Sequence, residues 1–215
     1  MIRSFLYRSL STVSLANPGI SQTNLFRCTE NIQQFLKLGR IAEARQLFDS
    51  MPYPDTITWN SMVTGYTQNG LLHEAEVLFN LFPDKNVRTW TTMLTGYANH
   101  GLIDEAWMVF ESMPERNVVS WNAILYGFVK NGDLKNAREL FDRMPMRNVT
   151  SWNSMITGYF HWGMMREAHE IFDHTEERNY ASWRIMISGH VEIDEYREAW
   201  SVFLMLTRHG VKLNQ

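Results

Sequence analysis

The 215-residue chain is 45% hydrophobic, contains one cysteine, Cys28, and carries a formal net charge of −3. That length and composition suffice for a sizeable core in one or two domains, while a single cysteine excludes an internal disulfide framework or a cysteine-based zinc site. No run of 18 apolar residues is present, which argues against a membrane span, and the balance of charge is not that of a strongly basic nucleic-acid binder.

The first segment, residues 1–24, is rich in serine and carries Arg3 and Arg8 with no acid. This is the composition of an organelle transit peptide, able to form an amphipathic helix with a basic face, and it lacks the compact apolar stretch of a secretory signal. A disordered N-terminal tail is the alternative. The early arginines favour a mitochondrion over a chloroplast. Residues 1–29 hold three arginines and no carboxylate, so the remainder carries 17 basic against 23 acidic residues, or −6.

From residue 25 onward the chain repeats itself. "NVVSWNAILYGFVKNGDLKNARELFDRMPMR" (residues 117–147) returns as "NVTSWNSMITGYFHWGMMREAHEIFDHTEER" (residues 148–178). Trp59, Trp90, Trp121, Trp152 and Trp183 lie 31 apart, as do Ala44, Ala75, Ala106, Ala137, Ala168 and Ala199. Phe48 begins a third series that ends at Phe203, and Gly39 a fourth that ends at Gly163. Four phased series define a tandem array. Its units are 25–55, 56–86, 87–117, 118–148, 149–179 and 180–214, the last lengthened by "RHGVKLN".

Each unit predicts two helices. Trp59, Met62, Val63 and Tyr66 follow the helical i, i+3, i+4, i+7 pattern. Thr58, Thr89, Ser120, Ser151 and Ser182 precede the tryptophans and are expected to cap the first helix, and the glycine after it is expected to end it in the left-handed conformation. Leu71, Ala75, Leu78 and Phe79 share one face of a second helix, which Pro83 stops. The alanine series marks a close helix crossing, where a larger side chain would cost about 1–3 kcal/mol. Such pairs bury their faces only by stacking, so the expected fold is all-α, an α-solenoid superhelix of about six helix-turn-helix repeats. The outer units depart from the pattern: Cys28 replaces Trp, Asp194 replaces Gly, and "HTEER" lacks the proline. No capping helix follows the sixth unit, and the chain is expected to be a fragment or shortened product.

The order Trp-Asn-x-Met-Ile-x-Gly-Tyr in "WNSMITGY" (residues 152–159) and the 31-residue period differ from the 34-residue tetratricopeptide repeat. With "G-x-x-x-E-A-x-x-x-F-x-x-M-P", they resemble the pentatricopeptide repeat family of plant organelles, in its short S-type motif from the class associated with RNA editing. The resemblance covers residues 25–214. It implies sequence-specific binding of single-stranded RNA, one base per repeat. It also implies that the fifth and last residues of each unit read the base and that the second sandwiches it. The fifth-position residues are Thr29, Asn60, Thr91, Asn122, Asn153 and Arg184; their last-position partners are Asp55, Asn86, Asn117, Asn148, Asn179 and Asn214. The sandwiching positions are Phe26, Ile57, Arg88, Val119, Thr150 and Ala181. Short neutral side chains that donate and accept suit a Watson–Crick edge. The family's rules imply a tract 5′-G-Y-A-Y-Y-3′, with the base at Arg184 unread.

Other features weigh less. The tryptophans, beside Met and Val at helical spacing, read as core rather than base-stacking platforms. Without the resemblance, Asn60, Asn122 and Asn153 would read as polar helix-face residues. Lys37 and Lys130 occupy one place in their units and either reach phosphates or belong to a solvated face. No His-x-Glu with paired cysteines is present, so the zinc deaminase that ends many editing-type members is not expected. The sequence reads as no enzyme and implies no cofactor or metal. The expected role is an adaptor in organellar RNA processing or editing that positions an editing deaminase or other processing factor in trans. A protein-interaction scaffold and a truncated fragment of a longer editing factor are the alternatives. With −6 on the array, binding is expected to be weak and the site short, carried by stacking and edge hydrogen bonds.

Overall fold

The computed structural model describes residues 22–175 and 178–208, and these form twelve α-helices with no strand among them. The helices are α1 (Gln22–Lys37), α2 (Ile41–Ser50), α3 (Thr56–Gln68), α4 (Leu72–Leu81), α5 (Val87–Asn99), α6 (Ile103–Ser112), α7 (Val118–Lys130), α8 (Leu134–Arg143), α9 (Val149–His161), α10 (Met165–Asp173), α11 (Tyr180–Glu192) and α12 (Tyr196–Arg208). Each odd-numbered helix from α3 begins at the first residue of an expected unit; α1 begins at Gln22, ahead of residue 25. Most of the expected targeting segment and the end of the "RHGVKLN" extension lie outside the described residues.

The first helices of successive units pack side by side from α1 to α11, and each pairs with its own second helix. From α2 to α8, every second helix also packs against the first helix of the following unit. The result is the all-α repeat superhelix expected from the period. Its core runs the length of the array: the alanine series is wholly buried from Ala44 to Ala168, and Met62, Leu94, Ile124, Met155 and Met186 are sealed between first helices. Gly158 permits this approach, because a Cβ there would stand 2.5 Å from Val129 on the preceding first helix.

The helix ends follow the punctuation in the sequence. Gly163 adopts φ +74°, and Met164 donates its backbone N–H to the carbonyl of Tyr159 at 2.7 Å, closing the turn into α10. In the sixth unit Asp194 takes the same left-handed conformation at φ 61°. Second helices stop one residue before a buried Met or Phe in extended conformation, such as Met144, and the proline follows. In the fifth unit, which lacks the proline, Thr175 fills the methionine's place, buried and bonded to the carbonyl of Ile171.

The caps of the first helices differ from the sequence expectation. The N-cap residues are Asp55, Asn86, Asn117, Asn148 and Asn179, in extended backbone conformation, and the expected hydroxyls stand three residues later. The Asn or Asp side chain accepts the first free N–H groups of the helix, while Thr89, Ser120 and Ser151 accept the N–H of the cap in return. Both residue types cap well; the reciprocal arrangement uses both.

Candidate functional site

The cap geometry has a direct consequence for the expected reading positions. The last residue of each unit is the N-cap of the next first helix, so its side chain is held by that helix. Asp55 Oδ1 accepts from Thr58 N at 2.8 Å, and Asn148 Oδ1 accepts from Ser151 N at 3.1 Å. The fifth residue of the unit lies on the second turn of the neighbouring first helix. Packing of first helices side by side brings the two together.

In the fourth unit the contact is direct. Asn122 Nδ2 donates to Asn148 Oδ1 at 3.1 Å, across 26 residues, and Ser151 Oγ donates to Asn122 Oδ1 at 2.7 Å. In the first unit a hydroxyl bridges the pair: Thr29 Oγ1 lies 2.7 Å from Thr58 Oγ1, which donates to Asp55 Oδ1 at 2.7 Å. In the third, Thr91 bonds its own helix through the Val87 carbonyl and shares a groove wall with Asn117. In the second and fifth, Asn60 and Asn153 each carry a buried Oδ1 with no hydrogen-bond partner. A buried polar atom left so costs about 1–3 kcal/mol. Arg184 is exposed on α11, and Asn214 lies outside the described residues.

The second-position side chains project beside these pairs. Phe26, Ile57 and Val119 are 65%, 62% and 57% exposed. Arg88 and Thr150 are exposed as well, and Ala181 is half-buried. Arg88 and Val119, in successive units, flank an open groove of about 730 Å³ whose walls include Thr91, Asn117 and Asn99. Lys37 is exposed at the end of α1, whereas Lys130 bonds Asn99 of the preceding unit through the backbone carbonyl at 3.0 Å and the side-chain oxygen at 3.3 Å. Its ammonium stays at the surface, tied to the neighbouring helix end.

One periodic series escaped the reading of the sequence. Arg116, Arg147 and Arg178 stand immediately before the last residue of their units, with Lys85 in the same place. Arg147 Nε donates to the Phe141 carbonyl at 2.8 Å and its terminal nitrogen to the Asp142 carbonyl at 2.7 Å, with the guanidinium 4.9 Å from the Phe141 ring centroid. Arg116 and Arg178 repeat the arrangement. These residues close the C-terminal carbonyls of the second helix and fix the loop that delivers the last-position asparagine. Lys85 instead makes a single bond, to the carbonyl of Phe82 just past its second helix, and burial lowers its ammonium pKa. The 31-residue spacing of these cations was the available signal.

Among the described residues no group of three or more His, Cys, Asp or Glu is placed to hold a metal ion, and no helix is long and apolar enough to cross a membrane. The arrangement is a row of short polar side chains beside exposed ones, repeated from unit to unit.

This repeated helix pair and its spacing define a class of tandem helical-repeat proteins. A model of the "PPR repeat family" matches residues 85–119 and 116–151, and one of the "PPR repeat" matches 57–87, 150–180 and 181–211. The matches run on from 57 to 211, and the chain belongs to the pentatricopeptide repeat family. In Arabidopsis thaliana, the mitochondrial pentatricopeptide repeat-containing protein At2g36980 is 53% identical over 47 residues, 22% of this chain and 8% of that protein. The chloroplastic protein At4g18520 is 35% identical over 63 residues, 29% of this chain and 10% of that one. The chain therefore matches only a small part of the length of these relatives. Among solved structures, PPR10 from maize superposes with a TM-score of 0.68 at 20% identity over 96% of this chain and 31% of its own. PPR10 in complex with an 18-nucleotide psaJ RNA element gives 0.72 at 21% identity, over 85% and 29%. Nuclear protein-only RNase P 2 of Arabidopsis thaliana gives 0.55 at 11% identity, over 77% and 42%. These likenesses establish the fold.

Proposed function

We propose that this chain binds single-stranded RNA along its row of first helices, one base per unit, and reads the tract 5′-G-Y-A-Y-Y-3′ with units one to five. The observation that carries this reading is the contact between Asn122 and Asn148, which makes a fifth and a last residue one polar surface. The exposed Ile57, Arg88 and Val119 offer faces between which a base can stack, at about 1–3 kcal/mol each. The RNA held by PPR10, a protein of the same fold, supports the choice of ligand.

The chain then acts as a recognition module in organellar RNA processing or editing, with the chemistry supplied by a deaminase or other factor in trans. Relatives named as mitochondrial or chloroplastic support an organelle, and Arg3 and Arg8 favour the mitochondrion. The test is in-vitro selection of random RNA on the purified chain. Enrichment of G-Y-A-Y-Y, with Asn122→Thr moving the fourth base toward A, is the expected result. Absence of any enriched sequence from folded protein would redirect attention to a peptide or helix as the ligand.

A further inference from the structure

We infer that the buried hydroxyl at the third position of the following unit, Ser151 for the fourth base, is a further specificity-determining residue that sets which base the asparagine pair prefers. The inference rests on the RNA-reading function proposed above and deepens it. Ser151 is fully buried, so water does not compete for its hydroxyl. Its Oγ donates to Asn122 Oδ1 at 2.7 Å and lies 3.1 Å from Asn148 Oδ1. Asn122 thus has its carbonyl oxygen engaged and one of its two N–H groups committed to Asn148. What remains toward a ligand is a single N–H donor.

The fifth unit carries the same three residue types, Asn153, Asn179 and Ser182, yet is wired differently. Ser182 Oγ donates to Asn179 Oδ1 at 3.1 Å, and Asn153 Oδ1 is left buried with no partner. The second unit matches it: Thr89 Oγ1 donates to Asn86 Oδ1, and Asn60 Oδ1 has no partner. In these two units that oxygen faces inward, away from any ligand, and no hydroxyl engages it. Cytosine and uracil differ at N3, where cytosine accepts and uracil donates. A donor-only Asn122 therefore selects cytosine at the fourth base, whereas the second and fifth units, whose asparagines lack such a hydroxyl contact, stay open to either pyrimidine. The tract sharpens to G-Y-A-C-Y.

The test is fluorescence anisotropy of the full chain with five-nucleotide RNAs that differ in C or U at the second, fourth or fifth base. Wild type is expected to prefer C at the fourth base by about three- to tenfold, the effect of one hydrogen bond, and to discriminate less at the other two. Ser151→Ala leaves the backbone cap bond from Ser151 N intact, frees Asn122 Oδ1, and is expected to erase or reverse the fourth-base preference alone. Ser151→Thr keeps the hydroxyl and the preference. Should Ser151→Ala lose its cooperative melting, Asn122→Asp provides the second variant: an acceptor-only side chain expected to switch the fourth base to U. Equal weakening of C and U by Ser151→Ala, or a wild-type preference for U at the fourth base, overturns the inference. If G at the first base and A at the third are still selected in that case, the RNA-reading function stands without it. If wild type binds none of the RNAs, the function itself fails and the inference with it.

Discussion

The indole of Trp152 meets the ring of Phe141 edge-on, with centroids 4.8 Å apart and planes at 78°, and so joins the fifth unit to the fourth. The same pairing recurs from Phe48–Trp59 to Phe172–Trp183, giving one aromatic clasp per junction. The tryptophans thus pack against the core at the junctions between units, four of them partly buried and Trp183 wholly so. Trp152→Ala is expected to destabilise by about 3 kcal/mol, the low end for a truncated aromatic because Trp152 is only half-buried. Since each unit contacts only its neighbours, urea unfolding of this variant should split into two transitions around the broken junction. A single unshifted transition would remove the clasp from the account.

The glycines divide into two kinds that substitution separates. At Gly163 an added Cβ would meet nothing within 4 Å, but the backbone sits at φ +74°, so Gly163→Ala should cost about 1–2 kcal/mol from backbone strain alone. Gly163→Asn should cost less, as Asp194 holds the same conformation one unit later. At Gly189 a Cβ would lie 2.4 Å from the Phe160 ring, so Gly189→Ala should cost about 1–3 kcal/mol by overpacking. Denaturation midpoints of the three variants give the comparison.

Arg147 offers a test of loop positioning. Arg147→Ala removes both bonds to the end of α8, and because the side chain is exposed the expected loss of stability is only about 1 kcal/mol. Discrimination at the fourth base should weaken while the other bases are read as before, since Asn148 follows directly in the chain. Arg147→Lys should recover part of this, as Lys85 holds a neighbouring carbonyl, that of Phe82, in its own unit. Uniform weakening at every base would contradict a local role.

Acid should loosen the junction of the last two units. His169 Nε2 and His190 Nε2 are 2.9 Å apart, and Glu195 Oε2 lies 2.9 Å from His190 Nδ1. Burial, reinforced by the neighbouring His190, lowers the pKa of His169 below its usual 6.5, against weaker opposing pulls from Asp173 and Glu195. The folded state therefore binds fewer protons than the unfolded chain just below pH 6.5, and stability falls as pH drops through that range. His169→Gln should flatten the decline. Thermal melts at pH 7.5 and 5.5 report it, and an equal decline in both proteins would exclude His169 as the source.

The fold was legible because its signal is collective: five tryptophans and six alanines in one phase leave a single architecture. The proposed reading pairs come from the family resemblance, and the contacts their side chains make could not be read from it. Asn117 and Ser120 are both good helix cappers three residues apart, and only the backbone shows that the asparagine is the cap and the serine its return partner. The arginines before each last residue look like solvated charge in any one unit; their period alone separates them from Arg138 or Arg143. Units four and five share Asn, Asn and Ser at the same three places, so no sequence pattern distinguishes the engaged Asn122 from the open Asn153. That difference resides in side-chain rotamers.

The cap geometry also limits what the array can come to spell. Every last-position residue from Asp55 to Asn179 starts a helix and, in the function proposed above, faces the RNA as well. A side chain that cannot accept the N–H of the next helix would weaken the following unit by about 1 kcal/mol as it changed the message. Vocabulary at this position is therefore confined to the few residues that serve both tasks. Exchange between Asp and Asn is the least disruptive step, since it alters charge and donor character while the oxygen that begins the helix stays in place.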